Sequence, residues 1–533
     1  MSKQKDGSRT EAVELELFVH RFSAIAWQMG EALRRTALSV NVKERLDFSC
    51  ALLDPDGELV VNAPHIPVHL GALGLCVRTV KNVLPLGPGD VAVTNHPGFG
   101  GSHLPDVTVI SPVFGDATGG DPKVGPLLGY VASRAHHAEI GGSRPGSMPP
   151  RARSLAEEGV VLEPQYLIRS GRPLWSELRQ RLGEGAFPSR AVEENLADLA
   201  AAVAANQRGI VALRGLAQQH GHTAVLHYME SLKRQSEARV REALRSLGDG
   251  RFEATELLDD GSPLAVSLNL SDGRGVVDFT GSAPVHPGNL NATPAVVRSV
   301  VLYAFRLLLD RPLPLNEGLL KTVRLEIPEG ILNPPFPPDP RLAPAVVGGN
   351  VETSQRLVDT MLKALGLVAC SQGTMNNVLF GNESFGYYET VCGGCGAGAD
   401  FDGESAVHSH MTNTAITDPE ILEHRYPVRL EKFSIRSGSG GSGRHRGGDG
   451  VVRQFLFLEP VSLSILSQHR VEAPYGVAGG RAGSLGRQVV TRSGGGEVKL
   501  QGIDGCEIEP GDRLLLETPG GGGWGVEETE EAE

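Results

Sequence analysis

Between Asn95 and Gly142 the chain gathers imidazoles and carboxylates among glycines, the side-chain types that hold a transition-metal ion. The first run reads Asn95-His96-Pro97-Gly98-Phe99-Gly100-Gly101-Ser102-His103-Leu104-Pro105-Asp106 and leads into an apolar strand from Val107 to Ile110. A second strand, Leu127 to His137, ends in Arg134-Ala135-His136-His137-Ala138-Glu139-Ile140-Gly141-Gly142. If the two strands form an antiparallel hairpin, the start of the first lies beside the end of the second. His103 and Asp106 then meet His136 and His137 across a long connection. Two imidazoles and a carboxylate suit Zn, Mn or Fe(II) better than Mg or Ca, which prefer oxygen shells. Strand alternation sends His136 and His137 to opposite faces, so only one of them is a direct ligand. The glycines before His103 let the backbone turn sharply and approach a ligand closely. A lone histidine at a strand end is usually a satisfied polar residue; it is the convergence of three groups that points to a metal.

Other candidates carry weaker patterns. Asp47, in Glu44-Arg45-Leu46-Asp47-Phe48-Ser49, is either a fourth ligand or a carboxylate neutralised by Arg45 or Lys43. His65 and His69 have the spacing of a helical metal pair, but Pro67 between them argues against a helix and for polar residues lining a cleft or loop. Cys392 and Cys395 form a CxxC with no second pair at similar spacing, and read as small residues in a close-packed glycine loop rather than as a zinc ribbon.

The elements that must position these groups are mostly strands. The 533 residues exceed what one core usually organises, and Gly 68 with Pro 35 points to many strands joined by tight turns. Residues 11–40 have helical periodicity in Val13, Leu17, Ile25, Met29, Leu33 and Leu38. Phe48–Leu53 and Leu59–Asn62 flank an Asp54-Pro55-Asp56-Gly57 turn, and Gly115–Pro122 is a loop by composition. Residues 189–247 are an amphipathic helical block interrupted by Gly209, Gly215 and Gly221; strands resume after Gly250, and helices recur at 295–310 and 352–366. The expected fold is therefore α+β: strand-rich, glycine-rich and multi-layered, with an inserted helical block and a β-rich C-terminal region. The expected division is 1–188 with the metal site, 189–250 helical, 251–427 α+β, 428–526 β-rich, and an acidic tail over 527–533.

The formal net charge of -13, without a basic cluster interleaved with aromatics, argues against a nucleic-acid partner. No stretch approaches the apolar length of a membrane span, and Met1–Thr10 has no apolar core of a signal peptide, so a cytoplasmic protein is expected. No GxxxxGK[ST] phosphate loop is present.

With these residues in view, the chain resembles the hydantoinase B/oxoprolinase family. The resemblance rests on His103-Leu-Pro-Asp106, Ala135-His-His-Ala-Glu-Ile-Gly-Gly142 and Pro145-Gly-Ser-Met-Pro149. It continues through Glu44-Arg-Leu-Asp-Phe-Ser-Cys50, Ile66-Pro-Val-His-Leu-Gly71, Val277-Asp-Phe-Thr-Gly281, Ser371-Gln-Gly-Thr-Met-Asn-Asn377, His410-Met-Thr-Asn-Thr414 and Thr518-Pro-Gly-Gly-Gly-Gly523. It implies the metal-bearing subunit of an ATP-dependent hydrolase that opens a lactam or hydantoin ring. A hydantoinase A-type subunit would supply the ATP/Mg site and phosphorylate the amide oxygen, in an α2β2 assembly. Carried over, the ligands of a divalent metal (Zn, Mn or Fe) are Asp47, His103, Asp106 and His136; in the mechanism this suggests, Glu139 or His137, one side chain beyond the shell, is the expected general base or orienting group. His410 and Asn413 would hold the substrate or the departing phosphate. His96 stands where the family usually has Asp, and Glu139 replaces a usual Asp, which bears on substrate more than on fold. The resemblance also leaves room for a subunit of an ATP-dependent ketone carboxylase, or for a non-catalytic structural subunit.

Overall fold

The computed structural model describes residues 2–62, 66–116, 125–310 and 313–527, with side chains from residue 11 onward. His65, most of the loop before Pro122, and the tail beyond Glu527 lie outside the described residues. The fold is α+β. Among the described residues it contains four sheets, almost all of whose strand pairs are antiparallel.

The first sheet carries the candidate site. Its strands are β1 (Phe48–Leu53), β2 (Leu59–Asn62), β3 (Val91–Thr94), β4 (Asp106–Phe114), β5 (Leu127–His136), β6 (Gln165–Arg169) and β7 (Arg172–Pro173). Their order is β2-β1-β5-β4-β3-β6-β7. β4 and β5 form the expected antiparallel hairpin, in a register that sets Asp106 directly opposite His136. β1 lies on the other side of β5, with Phe48 opposite Ala135, so Asp47 arrives beside His136, whose N–H donates to the Asp47 carbonyl at 3.0 Å. β1, β4 and β5 are buried on both faces, which is why they read as nearly continuous apolar runs rather than as clean alternation.

Helices cover both faces of this sheet. On one side lie Ser2–Thr36 and the pair Val192–His220 and His222–Leu247; on the other lies Leu70–Val83. The first helix runs earlier and ends sooner than its periodicity suggested. Its buried stripe is Phe18, Phe22, Ile25, Met29 and Leu33, whereas Val13, Leu17 and Leu38 are exposed. The 4-3-4-4 spacing of that stripe follows the helical repeat; Val13 and Leu17 are rotated away from it, and Leu38 lies past the helix end. In the long helical pair the break falls at Gly221, whose φ of +86° suits glycine; Gly209 stays helical and packs against Met29.

A second sheet, Gly250–Leu257, Pro263–Ser271, Arg274–Asp278 and Val323–Glu326, packs with the helices Pro294–Leu307 and Ser354–Ala364. The remaining two sheets draw their strands from residues 377–389 and 428–517. Before Ser354 the chain makes a π-helical turn, Gly349–Thr353, a widened turn that is rare and frequently marks function.

The residues that lead into that turn are anchored by a buried acid. Glu158 Oε1 accepts the N–H groups of Val346 and Val347 at 2.9 and 2.8 Å. Burial pushes the Glu158 carboxyl up to about 8, since its two amide donors cannot offset lost hydration and Glu157 adds repulsion. Its neutral form is therefore favoured on folding. The stability it contributes is complete below an unfolded pKa near 4.5 and is lost as pH rises toward 8. Glu158→Gln, which keeps the acceptor oxygen, is expected to melt above wild type at about pH 8.5 and to converge with it near about pH 5, read by thermal denaturation across pH.

Candidate metal centre

Asp106 is the hub. It begins β4, is fully buried, and its two carboxylate oxygens face different sets of side chains. Toward Oδ2, His69 Nε2 donates at 3.1 Å and the Ser102 hydroxyl donates in a short hydrogen bond. Toward Oδ1 lie His103 Nε2 at 3.2 Å and His136 Nδ1 at 3.5 Å, yet Oδ1 has no partner in hydrogen-bonding geometry. The other ring nitrogens, His103 Nδ1 and His136 Nε2, are also buried without partners. Burial raises the cost of the Asp106 charge, and the imidazoles of His103 and His69 outweigh it, holding the carboxyl well below its ordinary range. Burial lowers the His136 imidazole below its ordinary range as well, against the pull of Asp47.

The local chain explains why these groups converge. Gly100, at φ +82°, lies so close to the helix Leu70–Val83 that a Cβ there would come within 2.5 Å of Cys76 N. Buried Arg134 ties this loop to the hairpin, donating to Gly100 O at 3.0 Å and to Thr108 at 2.8 Å. Asn95 fastens it from the other side, donating to Leu104 O at 2.8 Å and accepting from Leu162 N at 2.7 Å. His136 stacks on Tyr388 with ring centroids 4.6 Å apart, and the Arg45 guanidinium lies over Tyr388 at 4.6 Å.

The expected site residues divide into three groups. His103, Asp106 and His136 come together, their ligand atoms all within 4.8 Å of one another. Asp47 borders them: its Oδ2 is 4.0 Å from His136 Nδ1 and 3.9 Å from Arg45 Nη1. Arg45 is otherwise occupied, donating to Tyr388 O at 2.8 Å, so neutralisation by Arg45 and a place in the shell are compatible. Leu46, between them, adopts φ +57°, a conformation costly for a branched side chain that turns Asp47 toward the cluster.

Glu139 and His137 face elsewhere. Glu139 accepts from Gly141 N at 2.6 Å and Gly146 N at 3.0 Å and pairs with Arg190 at 3.1 Å, so its carboxylate ties a turn together rather than reaching Asp106. His137 is turned to Asn195, 3.1 Å from its Nδ1, as alternation along the strand requires. His410 is bonded to Asp359 in a separate cluster, and Asn413 is exposed. His96 caps the turn Pro97–Phe99 by accepting from Gly98 N at 2.9 Å, with Glu163 at 3.3 Å on its other nitrogen.

Two members of the cluster lay outside the sequence-based site. His69 reaches Asp106 from the start of the helix Leu70–Val83, its Nδ1 accepting from Ser49 Oγ at 3.0 Å. Ile66 is extended and Pro67 opens a 3-10 turn rather than an α-helix, and that turn is what aims His69 at the sheet. Asn350, on the π-helical turn, brings its Nδ2 to 3.2 Å from His103 Nε2 and leaves its Oδ1 buried and unpartnered.

The donor set fits a divalent cation. A tetrahedral centre with bonds of ~2.1 Å has ligand–ligand edges of ~3.4 Å. The 3.2 and 3.5 Å separations around Asp106 Oδ1 match those edges, and an acceptor flanked by two nitrogens yet bonded to neither is what a shared cation would satisfy.

A multi-sheet α+β fold with a buried His-Asp-His cluster at a hairpin end defines the class of protein, and comparison with known proteins gives the family. The model of the Hydantoinase B/oxoprolinase family matches residues 11–527, and the chain belongs to that family. It is 45% identical to 5-oxoprolinase 1 of Arabidopsis thaliana over 97% of its length and 42% of the relative's, and 44% identical to the 5-oxoprolinase of Saccharomyces cerevisiae with the same coverage. It thus spans about two fifths of those relatives. Its fold resembles the ATP-dependent caprolactamase of Pseudomonas jessenii, with a TM-score of 0.86 at 24% identity over 97% of this chain and 91% of that one. It also resembles nucleotide-free acetone carboxylase, with a TM-score of 0.83 at 17% identity over 97% and 76%. No helix among the described residues is long and apolar enough to cross a membrane.

Proposed function

We propose that this chain is the metal-bearing part of an ATP-dependent cyclic amide hydrolase, acting with a hydantoinase A-type nucleotide-binding subunit in an α2β2 assembly. Membership of the family and similarity to 5-oxoprolinases support the reaction class. The observation that carries the site is the unpartnered Asp106 Oδ1 between His103 Nε2 and His136 Nδ1. These three side chains, with Asp47 beside them, would hold the divalent cation (Zn, Mn or Fe), which when bound supplies Lewis acidity at neutral pH.

The chain's own groups then have definite tasks. The partner's phosphorylation of the amide oxygen turns that oxygen into a phosphate leaving group and makes the carbon more electrophilic, so that addition of water can expel phosphate and then open the ring at the C–N bond. Asp106 stays ionised and fixed, because His69 and Ser102 hold one of its oxygens and so direct the other toward the two ligating imidazoles. His136 is held in plane by Tyr388. Asn350 is placed to orient a polar group beside His103. Glu139 is assigned the closing turn rather than proton transfer, on its three structural partners.

The test is co-purification with the ATP-binding subunit and measurement of phosphate release against 5-oxoproline, hydantoin and caprolactam. Ring opening coupled to ATP cleavage is expected for one of them. Stimulation by a ketone with bicarbonate, and by no cyclic amide, would move the chain to the carboxylases. A narrower prediction concerns the second oxygen of Asp106: Ser102→Ala and His69→Ala are each expected to weaken metal binding by roughly 10–100-fold, measured by competition with a chelator.

A further inference from the structure

A second buried cluster, which the proposed reaction does not use, joins three distant parts of the chain. Asp359 projects from the helix Ser354–Ala364, Cys370 opens the segment leading to the strand Asn377–Gly381, and His469 follows the strand Val461–Leu466. Their ligand atoms lie within 4.8 Å of one another and all three residues are buried. Cys370 Sγ is 3.4 Å from His469 Nε2.

The surroundings orient each group inward. Asp359 Oδ1 accepts from Ser371 N at 3.1 Å and His410 Nε2 at 3.0 Å, while Oδ2 is buried without a partner. His469 Nδ1 donates to the Glu472 carbonyl, which leaves Nε2 as the lone-pair nitrogen facing Cys370. A ring N–H held by a backbone carbonyl is the usual support of a ligating histidine. His469 itself sits at φ +58°, a left-handed backbone held in place against its intrinsic cost. Gly373 closes the site: a Cβ there would collide with His469 Nε2 and stand 3.1 Å from Asp359 Oδ2, so the residue facing both donors carries no side chain.

The geometry points to a second metal site at Asp359, Cys370 and His469, taking a zinc-like cation of borderline softness through mixed oxygen, sulfur and nitrogen donors. Arg356 is the competing group, since its Nη1 contacts both nitrogens of His469. A bound cation displaces that contact, and Arg356 keeps Leu257 O at 2.6 Å and Glu256 at 3.5 Å through Nη2. A thiolate and a carboxylate offset the dication, while Glu256 faces both Arg356 and the partly exposed Lys363. With every donor buried, the site acts as a clip between the central helix and the C-terminal sheets rather than as a reaction centre.

Sulfur separates this site from the first, whose donors are all nitrogen and oxygen. The full chain, produced with its partner subunit in medium where cobalt replaces zinc, is expected to show thiolate-to-cobalt charge-transfer absorption in the near ultraviolet. Cys370→Ser should abolish that absorption and lose one metal equivalent per chain by elemental analysis, whereas the Cys392→Ser/Cys395→Ser double variant should keep both, and Asp106→Ala should keep the absorption while losing only the metal of the first site. Absence of the band from the wild-type protein overturns the proposal, with no variant needed. So does a band that survives in folded Cys370→Ser and disappears in the double variant. Either result leaves the His103/Asp106/His136 site untouched.

Discussion

Asp106→Ala and His103→Ala, assembled with the ATP-binding subunit, are expected to lose the bound metal and at least about three orders of magnitude in kcat for ring opening. The size follows from what a Lewis-acidic cation contributes: several kcal/mol of transition-state stabilisation, at ~1.4 kcal/mol per tenfold in rate. Asp106 is the more damaging position. Its carboxylate charge would balance the proposed cation within contact of both imidazoles, and its removal also leaves the Ser102 hydroxyl and His69 Nε2 buried without their acceptor. His103→Ala removes one edge of the triangle and strands the Asn350 amide instead. Asp47→Ala, 4.0 Å from His136, should cost less, because Asp47 borders the triangle rather than closing it. Metal content by elemental analysis and turnover with a cyclic amide are the two readouts. Full metal loading with full turnover in both Asp106→Ala and His103→Ala would remove the cluster from the mechanism.

The part of this site that was legible in the sequence was the part governed by strand pairing. Antiparallel register alone sets the first residue of β4 opposite the last of β5, and alternation alone separates His136 from His137. His69 and Asn350 obey no such rule. Pro67 argued against a helix leading into His69, and what stands over Pro67–His69 is a 3-10 turn whose direction depends on the sheet it packs against. Asn350 is delivered by a π-helical turn far along the chain, whose lead-in residues are held by Glu158 through two backbone amides, and no local periodicity encodes such a contact. Glu139 illustrates the converse. Its position next to two histidines suggested chemistry, yet the glycines that follow it, Gly141 and Gly146, curl the backbone so that their N–H groups take its charge. The second cluster was unreadable for the same reason as Asn350: Cys370 and His469 look isolated along the chain, and only the packing of helix against C-terminal sheet joins them. The first helix was legible as an element but not in its phase, because Val13 and Leu17 are apolar and exposed.

The glycine content has a sharper meaning in three dimensions than turn composition conveys, and Gly521→Ala tests it. Segments 393–398, 440–448 and 519–523 pack backbone against backbone without intervening side chains. Gly521 N donates to Gly448 O at 2.9 Å, Gly448 N to Cys395 O at 2.9 Å, and Gly441 N to Gly521 O at 2.8 Å. A Cβ on Gly521 would strike the Cys395 carbonyl and stand 2.7 Å from Gly396 N; one on Gly394 would stand 2.5 Å from Gly521 N. Main chain tied on several sides cannot yield as a side-chain tip does, so one methyl here must separate hydrogen-bonded segments. Gly521→Ala is expected to destabilise by about 3–4 kcal/mol, at the upper end of overpacking effects. The control is Gly215, which lies in the helix Val192–His220 with nothing within 4 Å of its added Cβ. There alanine should stabilise by about 0.5–1 kcal/mol through helix propensity. Denaturation midpoints compare the two variants, and hydrogen exchange at Gly441, Gly448 and Gly521 should quicken only in Gly521→Ala. Equal, small shifts in both would mean that the glycines serve turn conformation alone. A loss confined to Gly521→Ala would instead identify close backbone packing as what joins segments 440–448 and 519–523 to segment 393–398.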